Sequence, residues 1–356
     1  MSHVTKISVV TTVLASSLFL GGCGLFGTKE KANIDPPEGV TLVDDESGLK
    51  EVNGEEAAKT DSKEKATKTI KTELYLIDKS GFVVPQTLEL PSNTAVAQQA
   101  LEYLVANGPV SEMLPNGFRA VIPADTHVSV DIKEGVATAD FSKEFATYQK
   151  EDELKILQAI TYTLTQFDTV DKVVLKMNGT KLNEMPVNKT PISDGLNRSV
   201  GINFDLSDVM DVSNTMPLTV YYVGGDEGSY YYVPVTKRVK DTKTDTITAA
   251  VNELVKGPGL ASSLLSGFMD DVALIEEPKN EDGKVTLNFN ENILGSFKEK
   301  KISKDVLDTL VLSLTEQKDI ESVEVLVQGK GGLLDDAGKA LSEPVSRPAK
   351  VNTGSY

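Results

Sequence analysis

The chain has 356 residues, a formal net charge of −17, one cysteine and no tryptophan. That balance excludes a basic stripe able to displace counterions from nucleic acid, electrostatic adhesion to an anionic membrane and a disulfide within the chain. The length accommodates two domains plus extensions.

Residues 1–22 hold Lys6 followed by an apolar run from Ile7 to Leu20. A basic start, a short apolar core and small residues at the end read as a secretory signal, too short for a confident membrane span. The run leads into Leu20-Gly21-Gly22-Cys23, which resembles the lipobox of bacterial lipoproteins. The resemblance implies that the Cys23 thiolate, a nucleophile, takes a diacylglyceryl group and becomes the mature N-terminus. Two acyl chains anchor stably where one does not. The alternative is a plain signal peptide with an incidental cysteine. Residues 23–71 are poor in large apolar side chains and rich in charge. They cannot bury enough surface to offset ordering, so a flexible tether is expected.

Beyond the tether the sequence says much the same thing twice. Leu104-Val105-Ala106-Asn107-Gly108-Pro109 returns 150 residues on as Leu254-Val255-Lys256-Gly257-Pro258, with one residue fewer. Leu114 to Phe118 (LPNGF) matches Leu264 to Phe268 (LLSGF), Gly135 to Phe141 matches Gly283 to Phe289, and Gly179 matches Gly329. A near-constant offset of domain size marks a tandem duplication rather than a solenoid.

Each copy opens on a hairpin, Glu73 to Ile77 with Phe82 to Leu90, and Leu218 to Val223 with Tyr230 to Val235. An amphipathic helix follows, carrying Val96, Ala100, Leu101 and Leu104, or Ile247, Ala250, Val251 and Leu254. Candidate caps are Ser92, Asn93 or Thr94, then Thr244 or Asp245. Gly-Pro ends both helices. Two further strands, a longer helix with Ser303 as candidate cap in copy two, and a last strand complete the unit. The expected fold class is therefore α+β: two tandem small domains, each ββ-α-ββ-α-β, with helices on one face of a mostly antiparallel sheet. The expected boundaries are residues 72–185 and 217–332, with an inter-domain segment at 186–216 and an irregular tail at 333–356.

No catalytic set, cofactor or metal is expected. The histidines are His3 and His127 alone, and His127 has no counterpart in copy two. The best-placed strand acid, Asp140, aligns with Asn288. The acid pairs Asp44-Asp45, Asp270-Asp271 and Asp335-Asp336 lack the spacing of a calcium loop. The one aromatic concentration is Tyr221, Tyr222, Tyr230, Tyr231 and Tyr232. Two readings of it stand level: an interaction surface, because tyrosine joins apolar area to a polar tip, or a hairpin packed within its own domain.

A lipobox, two tandem copies, and in each a helix closing on Gly-Pro and then a Gly-Phe element together resemble the GerM family, the sporulation and germination lipoproteins of endospore-forming bacteria with tandem GerMN domains. The resemblance covers roughly residues 72–330 and the N-terminus. It implies modules similar to the ring-building domains of secretion systems. The implied role is non-enzymatic: scaffolding the basal platform of the mother cell–forespore channel, lipid-anchored on the extracytoplasmic face of the cell membrane, in sporulating cells the outer forespore (mother-cell) membrane. Implied partners are channel proteins of the intermembrane space and further copies of the chain in a ring. The alternative is a lipoprotein that binds cell wall or muropeptides during germination. Replacing Cys23 with Ala is expected to move the protein from the membrane to the soluble fraction. A variant that still sediments with membranes overturns the lipobox reading.

Overall fold

The computed structural model describes residues 68–192, 194–207, 213–240, 245–296 and 298–353. Cys23 and the signal and tether readings up to residue 67 lie outside the described residues.

Module 1 begins with β1 (Thr69–Ile77) and β2 (Val83–Pro91), antiparallel with Tyr75 opposite Pro85. The turn is set by Asp78: its side chain accepts from the Phe82 amide at 2.8 Å, and Gly81 supplies a φ of +88° that a side chain would resist. Helix α1 (Val96–Glu102) follows, then β3 (Val128–Lys133), β4 (Val136–Phe141), α2 (Glu153–Leu164), β5 (Lys172–Met177) and the short β6 (Thr180–Lys181). Module 2 repeats the order with β7 (Thr215–Asp226), β8 (Ser229–Lys240), α3 (Thr246–Lys256), β9 (Lys279–Glu281), β10 (Lys284–Phe289), α4 (Lys304–Thr315), β11 (Ser322–Val327) and β12 (Val345–Ser346).

Each module pairs its hairpin with a second sheet, ordered β3-β4-β5-β6 in one and β9-β10-β11-β12 in the other. Within that sheet the central pair is parallel, β4 with β5 and β10 with β11, and the outer pairings are antiparallel. A 12-residue helix between the two central strands carries the chain back to the starting edge, which forces them parallel. The fold class is α+β with two repeated domains, as the patterning implies.

The helix ends differ between the copies for local reasons. Asp245 caps α3, accepting from the Ile247 amide at 3.1 Å, and Gly257 ends it at φ +79°. Ser303 caps α4 through the Val306 amide. No side chain caps α1; Asn93 instead turns the chain before it by accepting from the Ala95 amide. The extra residue of copy one, Asn107, sits at φ +60°, a conformation asparagine tolerates better than most.

The Gly-Phe match does not survive in space. The loop after the first helix bridges to the hairpin through Ile77–Arg119 in module 1 and Val223–Leu265 in module 2. Leu265 is therefore the counterpart of Arg119, four residues out of step with the 150-residue offset that aligned Phe118 with Phe268. The loop meets the hairpin through one backbone bridge, so its register follows local packing rather than the Gly-Phe letters.

The two modules share one continuous core, in which Leu74, Ala139 and Ile160 of module 1 join Val220, Leu287 and Leu310 of module 2. They meet through their hairpins and through two arms that the expected inter-domain segment and tail contain. Arg198-Ser199-Val200-Gly201-Ile202-Asn203 and Arg347-Pro348-Ala349-Lys350-Val351-Asn352 stand 149 residues apart. Each arm starts on its own sheet, Leu196 bridging Val173 and Val345 pairing Val323, and then crosses to the other module. Ile202 exchanges bonds with Thr236 of β8, and Val351 with Thr87 of β2. Asn203 accepts from Val83 N–H at 2.8 Å and donates to the Val83 and Pro234 carbonyls. Asn352 accepts from Tyr232 N–H at 2.8 Å and donates to the Tyr232 and Pro85 carbonyls. The arrangement is reciprocal: each arm serves the hairpin of both copies. The chain beyond Gly332 thus has little regular structure yet buries Leu333, Val351 and Asn352.

Asn203→Ala and Asn352→Ala each leave a buried main-chain amide and two carbonyls without their partner. Each is expected to lower the unfolding free energy by about 1–3 kcal/mol, read from urea unfolding. One loss without the other would contradict the reciprocity.

Candidate functional site

The five tyrosines lie on β7 and β8 along the seam between the modules, and the structure separates them. Tyr221 is fully buried; its amide donates to Ser313 Oγ at 2.8 Å and its hydroxyl to Glu316 Oε2 at 3.0 Å. Tyr75 is its counterpart in module 1, its amide donating to Thr163 Oγ1. Tyr222 donates to the Glu253 and Gly257 carbonyls at the end of α3. Tyr231 crosses the seam, donating to Asp78 Oδ2 at 2.7 Å and meeting the Phe118 ring edge-on at 5.1 Å. Tyr232 is half-buried against Asn352 and reaches Asp305 and Asp308. Tyr230 alone is exposed, at 47 %. Tyr221, Tyr222 and Tyr231 therefore cannot meet an outside partner; their faces are consumed by the protein itself.

At the seam's centre Glu316 is ion-paired to Arg198 of the first arm and lies 3.8 Å from Arg347 of the second. Arg347 also reaches Glu73 at 3.5 Å and stacks over Tyr221 at 5.6 Å, while Arg198 stacks over Tyr162 at 4.8 Å. One carboxylate so bridges both arms. Burial alone would raise the Glu316 carboxyl, but the two guanidinium groups outweigh it and hold the group below its ordinary value. Burial, with Glu316 nearby, pushes the Tyr162 hydroxyl up to about 12. These groups stay in one charge state across the physiological range, which suits a clamp rather than proton transfer. Sequence reasoning missed them. The signal that finds them is the Arg-x4-Asn spacing recurring at the period of the duplication.

The candidate reactive groups are used structurally. Asp140 Oδ1 accepts from the Gly179 amide at 3.0 Å, and Asn288 Oδ1 accepts from the Gly329 amide at 2.9 Å. Carboxylate and amide do the same job, which explains why the copies differ there. His127 uses its main-chain amide, donating to Ser142 Oγ. Asp335 and Asp336 accept from the Lys339 and Lys304 amides. Asp44 and Asp45 lie outside the described residues. Among the described residues no three metal-ligating side chains converge.

Beside the seam lies an open groove of about 510 Å³, lined by Tyr230, Tyr232, Lys304, Asp305, Asp308 and Lys350. Among these residues the Tyr232 hydroxyl is shared between two carboxylates, Asp305 and Asp308, with Lys304 paired to Asp308.

Against known proteins, the profile of the Germane family, described as sporulation and spore germination, matches residues 73–183 and 219–332. The chain belongs to the Germane family. It is 56 % identical to the spore germination protein GerM of Bacillus subtilis over 97 % of each chain. It also matches the solved tandem GerMN domains of the sporulation protein GerM from Bacillus subtilis, at a TM-score of 0.76 and 58 % identity, covering 80 % of this chain and 99 % of that one. The tandem arrangement read from the repeats is thus also that of this solved relative.

Glu316→Gln removes the charge while keeping the shape, leaving two arginines facing a neutral amide. The loss is expected at about 3–5 kcal/mol, since an unpaired buried charge is costly. Because Glu316 is depressed in the fold, its contribution is complete above the ordinary carboxylate value and disappears as pH falls through the lower, folded value. Urea midpoints of wild type and Glu316→Gln are therefore expected to converge on acidification; a constant gap contradicts the clamp.

Proposed function

We propose that the chain is a non-enzymatic lipoprotein that scaffolds an envelope complex during sporulation, as part of the basal platform of the mother cell–forespore channel. Cys23 anchors it by its lipid to the extracytoplasmic face of the membrane, on the outer forespore side in sporulating cells. The reciprocal clamp carries this reading. It turns two small modules into one rigid block whose ionisable residues at the seam are spent on holding the modules together. A rigid block on a long tether suits the positioning of partners between two membranes. Tethering also raises effective concentration, so weak module contacts suffice for assembly. Strand β3 stands at the edge of its sheet with six residues, whereas β9, at the equivalent edge, has three. An open edge invites strand pairing with a neighbouring copy or a channel protein, which supports growth into a ring.

A second reading is favoured by the groove at Tyr230: an exposed ring beside carboxylates and lysines suits a muropeptide met during germination. Crosslinking in sporulating cells followed by identification of captured proteins tests the first reading, with capture of channel proteins of the intermembrane space expected. Retention of the purified protein on isolated peptidoglycan, lost in Tyr230→Ala, with no protein captured in cells, would replace it by the second.

A further inference from the structure

The duplication supplies a control for each sheet edge, and the two copies treat one edge in opposite ways. In module 1 the edge is β3, paired to β4 without interruption from Val128 opposite Phe141 to Lys133 opposite Val136. In module 2 the same two ends are marked by Leu274 opposite Phe289 and Glu281 opposite Lys284. The stretch between them is two residues longer, and the ladder breaks. Val130 alone faces Ala139 in module 1. In module 2 Glu276, Glu277 and Pro278 together stand against Leu287, between the Ile275–Asn288 bond and the Lys279–Thr286 pair. A bulge, two carboxylates and a proline are devices that stop a strand from adding to an edge. The fold can close this edge, and module 1 keeps it open.

The unused groups of β3 follow from its register. Antiparallel pairs alternate between hydrogen-bonded and non-hydrogen-bonded. The Ser142 amide donates to the His127 carbonyl, so His127, Ser129, Asp131 and Lys133 turn their main-chain groups to β4. Val128, Val130 and Ile132 turn theirs outward. Their side chains pack on the core yet stay half-buried, because β4 is the one strand beside them. Ser129, Asp131 and Lys133 are exposed on the opposite face.

We propose that β3 pairs antiparallel with β3 of a second copy, about a two-fold axis at Val130. This rests on the assembly reading and deepens it: the occupant of the edge is another copy, and the unit of growth is a pair. Two observations choose that occupant. The other outer strands of the four-stranded sheets, β6, β9 and β12, have two, three and two residues. A head-to-tail strand contact therefore finds no second edge to match β3, whereas a two-fold contact needs one edge only. The sequence of β3 also complements itself. Centred on Val130, the register sets Val128 against Ile132 of the second copy and Ser129 against its Asp131, apolar with apolar and hydroxyl with carboxylate. Centred on Asp131, it would set two like charges face to face, so charge selects the register.

The test reads the contact itself, so its failure is separate from a failure to capture partners in cells. It uses the lipid-free mature chain with Cys23→Ala, at up to about 1 mM, of the order that tethering supplies. Sedimentation is expected to show monomers and dimers in equilibrium, with salt tightening the pair because each copy carries a charge of −17. The amides of Val128, Val130 and Ile132 are expected to exchange fast in dilute protein and slowly in the pair. A mixture of Ser129→Cys and Asp131→Cys copies is expected to form a disulfide that neither forms alone, since these positions make a close, non-hydrogen-bonded pair. Val130→Pro removes an outward donor and no internal bond, so it is expected to stay folded and lose the dimer. If that variant fails to fold, the cysteine mixture still decides. The proposal is overturned if the chain stays monomeric, if the disulfide forms equally in unmixed variants, or if folded Val130→Pro still dimerises. It is also overturned if the three amides are already protected in dilute protein, because the chain's own residues would then occupy the edge.

Discussion

The structure depends on how two hairpins satisfy their outward main-chain groups where they meet. A hairpin has two edges, and each edge offers amides and carbonyls that must find partners when buried. Here the second module and the arms cover those edges. A proline stands in the second strand of each hairpin, Pro85 in β2 and Pro234 in β8, lacking an N–H to satisfy but keeping a carbonyl. That carbonyl is met by the asparagine of the other module's arm. The arms must therefore cross, and once they cross the tail and the linker become parts of the fold rather than its margins. The burial of Tyr221, Tyr222 and Tyr231 is a consequence of the same closure.

The ionic centre adds registry to that closure. Two arginines, one from each arm, face Glu316 and Glu73, so the signs balance across the seam. A buried ion pair adds little net stability compared with well-packed apolar groups, but breaking it costs much. Such a cluster penalises any arrangement in which one arm is seated and the other is not. The counterpart of Glu316 in module 1 is Gln166, which accepts from Glu73 N–H at 2.8 Å and donates to its carbonyl at 2.7 Å. The neutral residue tends the backbone of β1, and the charged one gathers the arms. The seam is therefore two-fold in its main chain and one-sided in its charge.

Much of this was legible in the letters. The duplication, the order of elements, the Asp245 and Ser303 caps and the Gly257 helix end follow from spacing and local stereochemistry, which act over a few residues; Gly108 does not end α1, which stops at Glu102, and instead opens the short turn at Pro109 with φ −86°. The arms were not legible by the same means. Arg198 to Asn203 and Arg347 to Asn352 lie among polar and turn residues, and their partners stand far away in the chain, so no hydrophobic period announces them. Only the continued offset does. The tyrosines were ambiguous for a related reason: alternation on a strand gives two faces, but it does not say whether the second face meets solvent or a sister module. The Gly-Phe element misled because two letters in a loop are weak evidence of position when one backbone bridge sets the register.

The differences between the copies now divide into two kinds. Asp140 and Asn288 differ in charge, yet each accepts from a glycine amide at the same turn, so the exchange preserves a job and carries no message about function. Gln86 and Val235 differ in the opposite way. The valine has no polar job to preserve, and the glutamine has acquired polar atoms that nothing among the described residues answers. Similarity of letters does not separate these cases; accounting for the partner of each polar atom does. By that measure the exchange of Asp140 for Asn288 is conservative, whereas those of Gln86 for Val235 and of Thr161 for Val311 are not, because each leaves polar atoms buried without a partner in one copy alone.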